Sequence, residues 1–310
     1  MLSRVSPARF LERFDKALRR RWYPYFAWRR YRDYQRDLDE TREPLIVHQM
    51  GKVGSSTVVA TLERCCEDYR VFQTHLLRRD QLGMAVAQQR KASRDHRRMQ
   101  LDEHLLASRY LQRRFSKAAP GARWTVISMV RDPVARNISA FFQAFDVYFS
   151  KQSAGEGPDA LDRLGTKRLR QMFLEEFGRY RHELALTWFQ SFLEPVFGID
   201  VYATPFDKQR GYSIYEADRC RLLLLRTEDL RRALDGAIEQ FLGVAVGDQV
   251  SRNVSSEKRY SEPYQAFLED FRLPETYLDS LYDSKYMRHF YTSREIEAFR
   301  DRWSARQAPV

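Results

Sequence analysis

Apolar residues along this chain fall into two kinds of run: short unbroken ones, and longer ones that recur every three to four residues. The short runs "LIVHQM" (45–50), "YRVFQT" (69–74), "RWTVISMV" (123–130) and "CRLLLLR" (220–226) read as strands. The last is the most apolar of them and reads as a buried strand. Between them "STVVATLERCCED" is a predicted helix, and 78–118 is mostly helical and rich in arginine. "PVARNISAFFQAF" sets Val134, Ile138, Phe141, Phe142 and Phe145 on one helical face, and "EDLRRALDGAIEQFLG" is a further helix closed by Gly243. Strands alternating with helices predict an α/β fold with a mainly parallel central sheet, in which ligands bind at the carboxyl ends of the strands.

The remaining pattern is less regular. Residues 151–160, "KQSAGEGPDA", read as a mobile loop, followed by two helical stretches of which the second holds "HELALTWFQSFLEP". After "GIDVY" a turn is expected at Lys208–Gly211, and from about Val250 the chain reads as helical and polar, with Pro263 and Pro274 near helix starts. Residues 3–42 interleave arginines with aromatics, and Pro24 is expected to interrupt any helix there. We therefore expect an appendage over 1–43 and a single α/β domain over 44–310. The appendage has two readings: a surface helix that docks on anionic lipid or polymer, or a solvated helix whose aromatics pack on the domain. The second is the expected one, because the aromatics do not form a clean apolar face.

Composition narrows the partners. In 310 residues, 53 Lys+Arg stand against 42 Asp+Glu, a formal net charge of +11, which favours anionic ligands without choosing among them. Cys65, Cys66 and Cys220 give neither a metal-ligand spacing nor a disulfide framework, and a reducing cytosol suits them. No apolar run approaches the roughly 18 residues needed to span a bilayer, and none has signal-peptide form. A cytoplasmic protein is expected, with peripheral membrane contact through 1–43 as its one route to a membrane.

The chemistry begins where the first strand ends. Gly51-Lys52-Val53-Gly54-Ser55-Ser56-Thr57 leads from that strand into a helix, so orphan backbone N–H groups, hydroxyls and one ammonium converge on a point that attracts phosphate. The alternative is an ordinary serine-capped helix after a glycine turn. Lys52 precedes Gly54, whereas the triphosphate loop G-x-x-x-x-G-K-[ST] has its lysine after the second glycine. At the end of the third strand comes "RDPVARNIS": Asp132 is a candidate N-cap, Pro133 suits the first helical position, and Arg131 with Ser139 forms a second candidate anion site. Taken alone, that pair also reads as a surface ion pair and a packing serine.

The first loop resembles the 5′-phosphosulfate loop, P-K-[ST]-G-[ST]-[ST], of sulfotransferases that use 3′-phosphoadenosine 5′-phosphosulfate (PAPS). Gly51 stands where proline is common there, and Val53 replaces a small polar residue. Arg131 and Ser139 resemble the 3′-phosphate motif of the same family, and "LLLLRTEDL" its later strand-to-helix segment. "SRNVSSEKRYSEPY" is similar to a nucleotide-covering loop and implies Lys258 or Arg259 near the 3′-phosphate, although it also reads as a polar connector. The likeness covers about residues 44–265 and is strongest to bacterial sulfotransferase-like proteins of capsular polysaccharide synthesis. It implies a P-loop-like (Rossmann-like) three-layer fold with helical insertions and a helical C-terminal region. It also implies PAPS as co-substrate, adenosine 3′,5′-bisphosphate as product, a hydroxylated acceptor, in the first place a carbohydrate, and no requirement for metal or nucleic acid.

Sulfuryl transfer needs a base at the acceptor hydroxyl and positive charge at the departing phosphate oxygen. Lys52 suits the second role, along with nucleotide binding by Lys52, Val53, Gly54, Ser55, Ser56 and Thr57. His75, just beyond the second strand in "THL", lies on the same sheet edge and resembles the catalytic histidine of cytosolic sulfotransferases; a strand-end histidine bonded to backbone is the alternative. Glu183 and Glu194 are reserve bases, and a core or supporting role is expected of His48. Trp188 and Phe189 are candidates for an acceptor pocket, although aromatics at helical spacing are more often core. Two other functions compete. A magnesium-dependent phosphotransferase would draw on Glu228 and Asp229, and a non-catalytic basic module for acidic polymer or nucleic acid would draw on "RKASRDHRRMQ".

Overall fold

The structure is a computed structural model that describes residues 23–40, 42–92, 103–148, 165–246, 268 and 271–304. In chain order the elements up to the third strand are α1 (Tyr23–Glu40), β1 (Glu43–His48), α2 (Ser55–Cys65), β2 (Tyr69–Thr74), α3 (Arg79–Ala92), α4 (Glu103–Lys117) and β3 (Trp124–Val130). Then come α5 (Pro133–Tyr148), α6 (Thr166–Gln171), α7 (Arg179–Trp188), α8 (Glu194–Phe197), β4 (Tyr212–Ala217), β5 (Cys220–Arg226) and α9 (Leu230–Leu242). The chain closes with α10 (Glu275–Tyr282), α11 (Lys285–Phe290) and α12 (Ser293–Trp303).

The four apolar runs become neighbouring parallel strands, with the order β2-β1-β3-β5-β4 across the sheet. Leu45, Ile46 and Val47 of β1, Val126 and Ile127 of β3, and Leu222 to Leu225 of β5 are all fully buried, which is why these strands show no polar alternation. The fifth strand, β4, pairs antiparallel with β5 across the turn at Asp218-Arg219 and is absent from the sequence reading. It lies at the sheet edge and only Tyr215 of its six residues is buried, so neither an apolar run nor a clean alternation marks it.

Strand order decides where a ligand can sit. The chain leaves β1 toward β2 on one side, then crosses back to β3 on the other, so the order reverses between β1 and β3. The loops after these two strands therefore flank a crevice at the carboxyl edge, the usual binding place in open α/β sheets. Those loops are the Lys52 loop and the Arg131 segment.

Pro24 stands at the start of α1, and the residues before Tyr23 lie outside the described ones. It occupies the first turn, where its missing N–H costs no helical hydrogen bond. Tyr34 and Leu38 on the inner face join the main core, the Tyr34 ring lying 5.0 Å from Phe72 and 5.2 Å from Tyr110. The C-terminal helices are more apolar inside than their sequence suggests: Tyr282, Tyr286, Tyr291 and Trp303 are almost fully buried. They cover the ends of β3 and β5 from outside the sheet. The 151–160 loop and Pro263 lie outside the described residues.

Candidate functional site

The loop after β1 is held in a conformation that few residues adopt. Lys52 and Gly54 both have left-handed backbone, at φ 74 and φ 79. At Gly54 a Cβ would also meet Leu230 Cδ1 at 3.0 Å and Thr227 Cγ2 at 3.2 Å, so glycine is required twice over. Gly54 is the N-cap of α2 and brings no side chain to cap it, which leaves the first N–H groups of the helix facing the loop. Ser55 is buried, and its Oγ accepts hydrogen bonds from Gln49 Nε2 (3.0 Å) and Gln73 Nε2 (2.8 Å). Ser56 and Thr57 are half-buried at the same helix start.

The two motifs read from the sequence meet. Arg131 Nη1 donates to the carbonyl of Lys52 at 2.7 Å, and Arg136 Nε donates to the carbonyl of Gly51 at 3.2 Å. Thr227, just past β5, lies with its hydroxyl 2.7 Å from the Val53 carbonyl and 2.8 Å from the Val130 carbonyl. Three parallel strand ends are thus tied to one loop. Ser139 is half-buried two turns along α5, and among the described residues no hydrogen bond joins it to Arg131. Lys258 and Arg259 lie outside the described residues, as does 93–100 of the basic stretch "RKASRDHRRMQ".

Arg131 is fixed from behind. The Tyr286 hydroxyl accepts from the Arg131 N–H at 3.0 Å and donates to its carbonyl at 2.9 Å. Asp132 caps α5, accepting from Val134 N at 3.0 Å and Ala135 N at 3.3 Å. It also accepts from the Tyr282 hydroxyl at 3.0 Å and the Trp303 indole at 3.1 Å. Burial raises the Asp132 carboxyl above the usual carboxylate range even against those donors, and burial raises Glu228 likewise. Both Glu228 oxygens are engaged, one by the Asp132 N–H at 2.9 Å and the other by the Tyr291 hydroxyl at 2.9 Å. Asp229 pairs with Arg226 and Arg232. These two carboxylates hold the fold together, which removes the feature that favoured a magnesium-dependent phosphotransferase.

His75 stands beside the loop, half-buried, with Nδ1 2.8 Å from the backbone carbonyl of Gln49. The Gln49 amide Nε2 also lies 3.3 Å from Nδ1; the shorter contact, to the carbonyl, is made by the tautomer with the proton on Nδ1 and the lone pair on Nε2. The ring centroid of His104 is 4.6 Å away. His48 is buried in the core, its Nε2 donating to the Phe192 carbonyl at 3.2 Å and its Nδ1 3.0 Å from Thr74 Oγ1. The Phe192 carbonyl lies in a π turn, Phe189–Leu193, and the adjacent Ser191 carbonyl accepts from Gln81 at 3.2 Å. Trp188 and Phe189 are buried core residues, not the walls of an open pocket.

The reserve carboxylates part company. Arg136 Nη1 donates to the Arg181 carbonyl at 3.0 Å, so the first turn of α7, which carries Glu183, is linked to the Lys52 loop through one side chain. Glu194 opens α8, whose Val196–Gly198 end lines a cleft with Trp124 and Arg219 toward the amino ends of β3 and β5. That cleft is at the opposite edge of the sheet, but Glu194 does not line it, and the Ser191 and Phe192 carbonyls just before it bond to Arg78 and His48 at the carboxyl edge. Arg136, Gln49 and Gln73 are contacts the sequence reading missed. For Arg136 a signal existed, since it lies in the "RDPVARNIS" motif one helical turn before Ser139.

Residues 167–292 match a family model, NKWYS, described as "Putative capsular polysaccharide synthesis protein". The match takes in α7, β4, β5 and the tyrosines behind Arg131, and begins after the Lys52 loop and Arg131 themselves. No curated protein and no solved structure matches the chain.

Two buried histidines make stability depend on pH. Burial lowers His48 to about 3 and His182 to about 4, the latter held between the Phe173 carbonyl and the Tyr277 hydroxyl. Both folded values lie below that of an unfolded histidine, near 6.5, so the unfolded chain takes up these protons first. The stability is whole above about pH 6.5 and is lost as pH falls toward 4, by about 1.4 kcal/mol per pH unit for each ring. Asp132 and Glu228, raised by burial, act in the opposite sense. The test is therefore a difference: urea midpoints between pH 7 and 5 should fall less in the His48→Gln/His182→Gln variant than in the wild type.

Proposed function

We propose that this chain is a PAPS-dependent sulfotransferase with a P-loop-like, three-layer fold, acting on a hydroxyl of a carbohydrate in capsular polysaccharide synthesis. One observation carries the reading: the Lys52 loop and the Arg131 segment are joined by a 2.7 Å hydrogen bond at the switch point of a parallel sheet. A single anion calls for one such loop; two joined at one crevice suit a ligand with two phosphate positions. The family match over 167–292 supports the glycan context.

In this reading the α2 N-terminus with Ser56 and Thr57 holds the 5′-phosphosulfate, while Arg131 holds the 3′-phosphate with Ser139, Lys258 or Arg259. Ser55, turned toward Gln49 and Gln73, shapes the loop from below. His75 Nε2 accepts the acceptor's hydroxyl proton as its oxygen bonds to sulfur. Lys52 neutralises the charge gathering on the phosphate oxygen as the bridging S–O bond breaks. The products are a sulfate ester and adenosine 3′,5′-bisphosphate.

Ligand-induced stabilisation tests this without knowledge of the acceptor. Adenosine 3′,5′-bisphosphate at about 100 times its dissociation constant should stabilise the protein by about 2.7 kcal/mol in the absence of magnesium. Mg-ATP should have little effect. A thermal shift with Mg-ATP alone, or no transfer of labelled sulfate from PAPS to any glycan or small alcohol, would sink the proposal.

A further inference from the structure

Four large hydrophobic side chains are exposed among the described residues: Tyr25 (51%), Phe26 (40%), Trp28 (53%) and Met84 (59%). Three of the four fall within four consecutive positions of α1. They are not left over from imperfect packing, because the opposite face of the helix is well used. Tyr34 and Leu38 enter the main core, and Ala27 and Tyr31 pack against Leu82, Leu105 and Leu106.

On the outer face Tyr25, Trp28, Arg29, Arg32 and Arg36 recur at three- and four-residue spacing, all exposed. The rings cluster: Tyr25 lies 6.0 Å from both Phe26 and Trp28, and the Arg32 guanidinium lies 5.0 Å over the Trp28 ring. Charge along α1 is divided. From Tyr23 to Arg32 there are three arginines and no acid, and the acids begin at Asp33. Asp37 pairs with Arg70 at 3.0 Å, and Arg36 lies between Asp33 and Asp37. The aromatic cluster therefore sits in the purely positive half of the helix.

We propose that this half of α1 docks on the surface of an anionic lipid bilayer. Tyrosine and tryptophan rings with polar tips suit the headgroup boundary, and guanidinium groups beside them suit lipid phosphates. An acidic polymer would neutralise the arginines but leave the rings in water, and a second copy of the helix would set arginine against arginine. No described helix is long and apolar enough to cross a membrane, so the contact is peripheral.

Co-sedimentation of the full chain with phosphatidylcholine vesicles, with and without phosphatidylglycerol, tests the proposal. Binding should require the anionic lipid. It should fall at least about tenfold in each of two variants, Tyr25→Ser/Phe26→Ser/Trp28→Ser and Arg29→Glu/Arg32→Glu, whose melting and circular dichroism stay like those of the wild type. Failure to bind anionic vesicles, or binding that both variants retain, overturns it. So does dextran sulfate binding that depends on the arginines alone, or a dimer that the aromatic variant abolishes. None of these readouts involves sulfate transfer.

Discussion

Replacing Lys52 by glycine is expected to lower kcat for sulfate transfer by about 10²–10³-fold while leaving the protein folded and able to bind PAPS. The ammonium is assigned to a charge that grows only as the S–O bond breaks, so its loss should appear in kcat and in affinity for the product, whose 5′-phosphate carries that charge, and not in affinity for PAPS. Glycine is the informative substitution because Lys52 has left-handed backbone. Alanine would keep that strain, of order 1 kcal/mol, whereas glycine relieves it at a comparable cost in unfolded-chain entropy. The Lys52→Gly protein should therefore unfold within about 1 kcal/mol of the wild type, which separates lost chemistry from lost fold. Arg131→Ala should behave differently and weaken nucleotide binding first. Its guanidinium also holds the Lys52 carbonyl, so the double variant should lose less than the sum of the two single losses. Unchanged kcat in Lys52→Gly, measured with saturating labelled PAPS, would remove the lysine from the reaction.

What the sequence revealed and what it hid divide along physical lines. The four parallel strands were legible because burial on both faces makes each an apolar run, and the two loops that meet at the Lys52 carbonyl were legible because each follows such a run. Asp132 as the cap of α5 and Gly243 as the end of α9 were local decisions and could be read locally. β4 could not, since an edge strand with one buried residue has no period to detect. Nor could the roles of Tyr282, Tyr286, Tyr291 and Trp303. The region reads as helical and polar, and only tertiary packing chooses Asp132, Arg131 and Glu228 as their partners. Arg136 was hidden for a related reason. An arginine in a helix reads as solvated, and this one is 5% exposed because three neutral acceptors, the carbonyls of Gly51 and Arg181 and the Asn137 side chain, surround its guanidinium.

The proton acceptor is the second large effect. His75→Ala should lower kcat/KM by about 10²–10⁴-fold, the usual range for a general base, with nucleotide affinity retained. With the Nδ1 proton on the Gln49 carbonyl, Nε2 is the nitrogen that takes the acceptor's proton. His75→Gln, which keeps a polar side chain but cannot take that proton, should lose as much rate as His75→Ala. Glu183→Gln provides the competing test, since α7 is tied to the Lys52 loop through Arg136. If Glu183→Gln costs that factor and His75→Ala does not, the base is the carboxylate. His75 would then be a positioning residue that holds the Gln49 backbone beneath the loop.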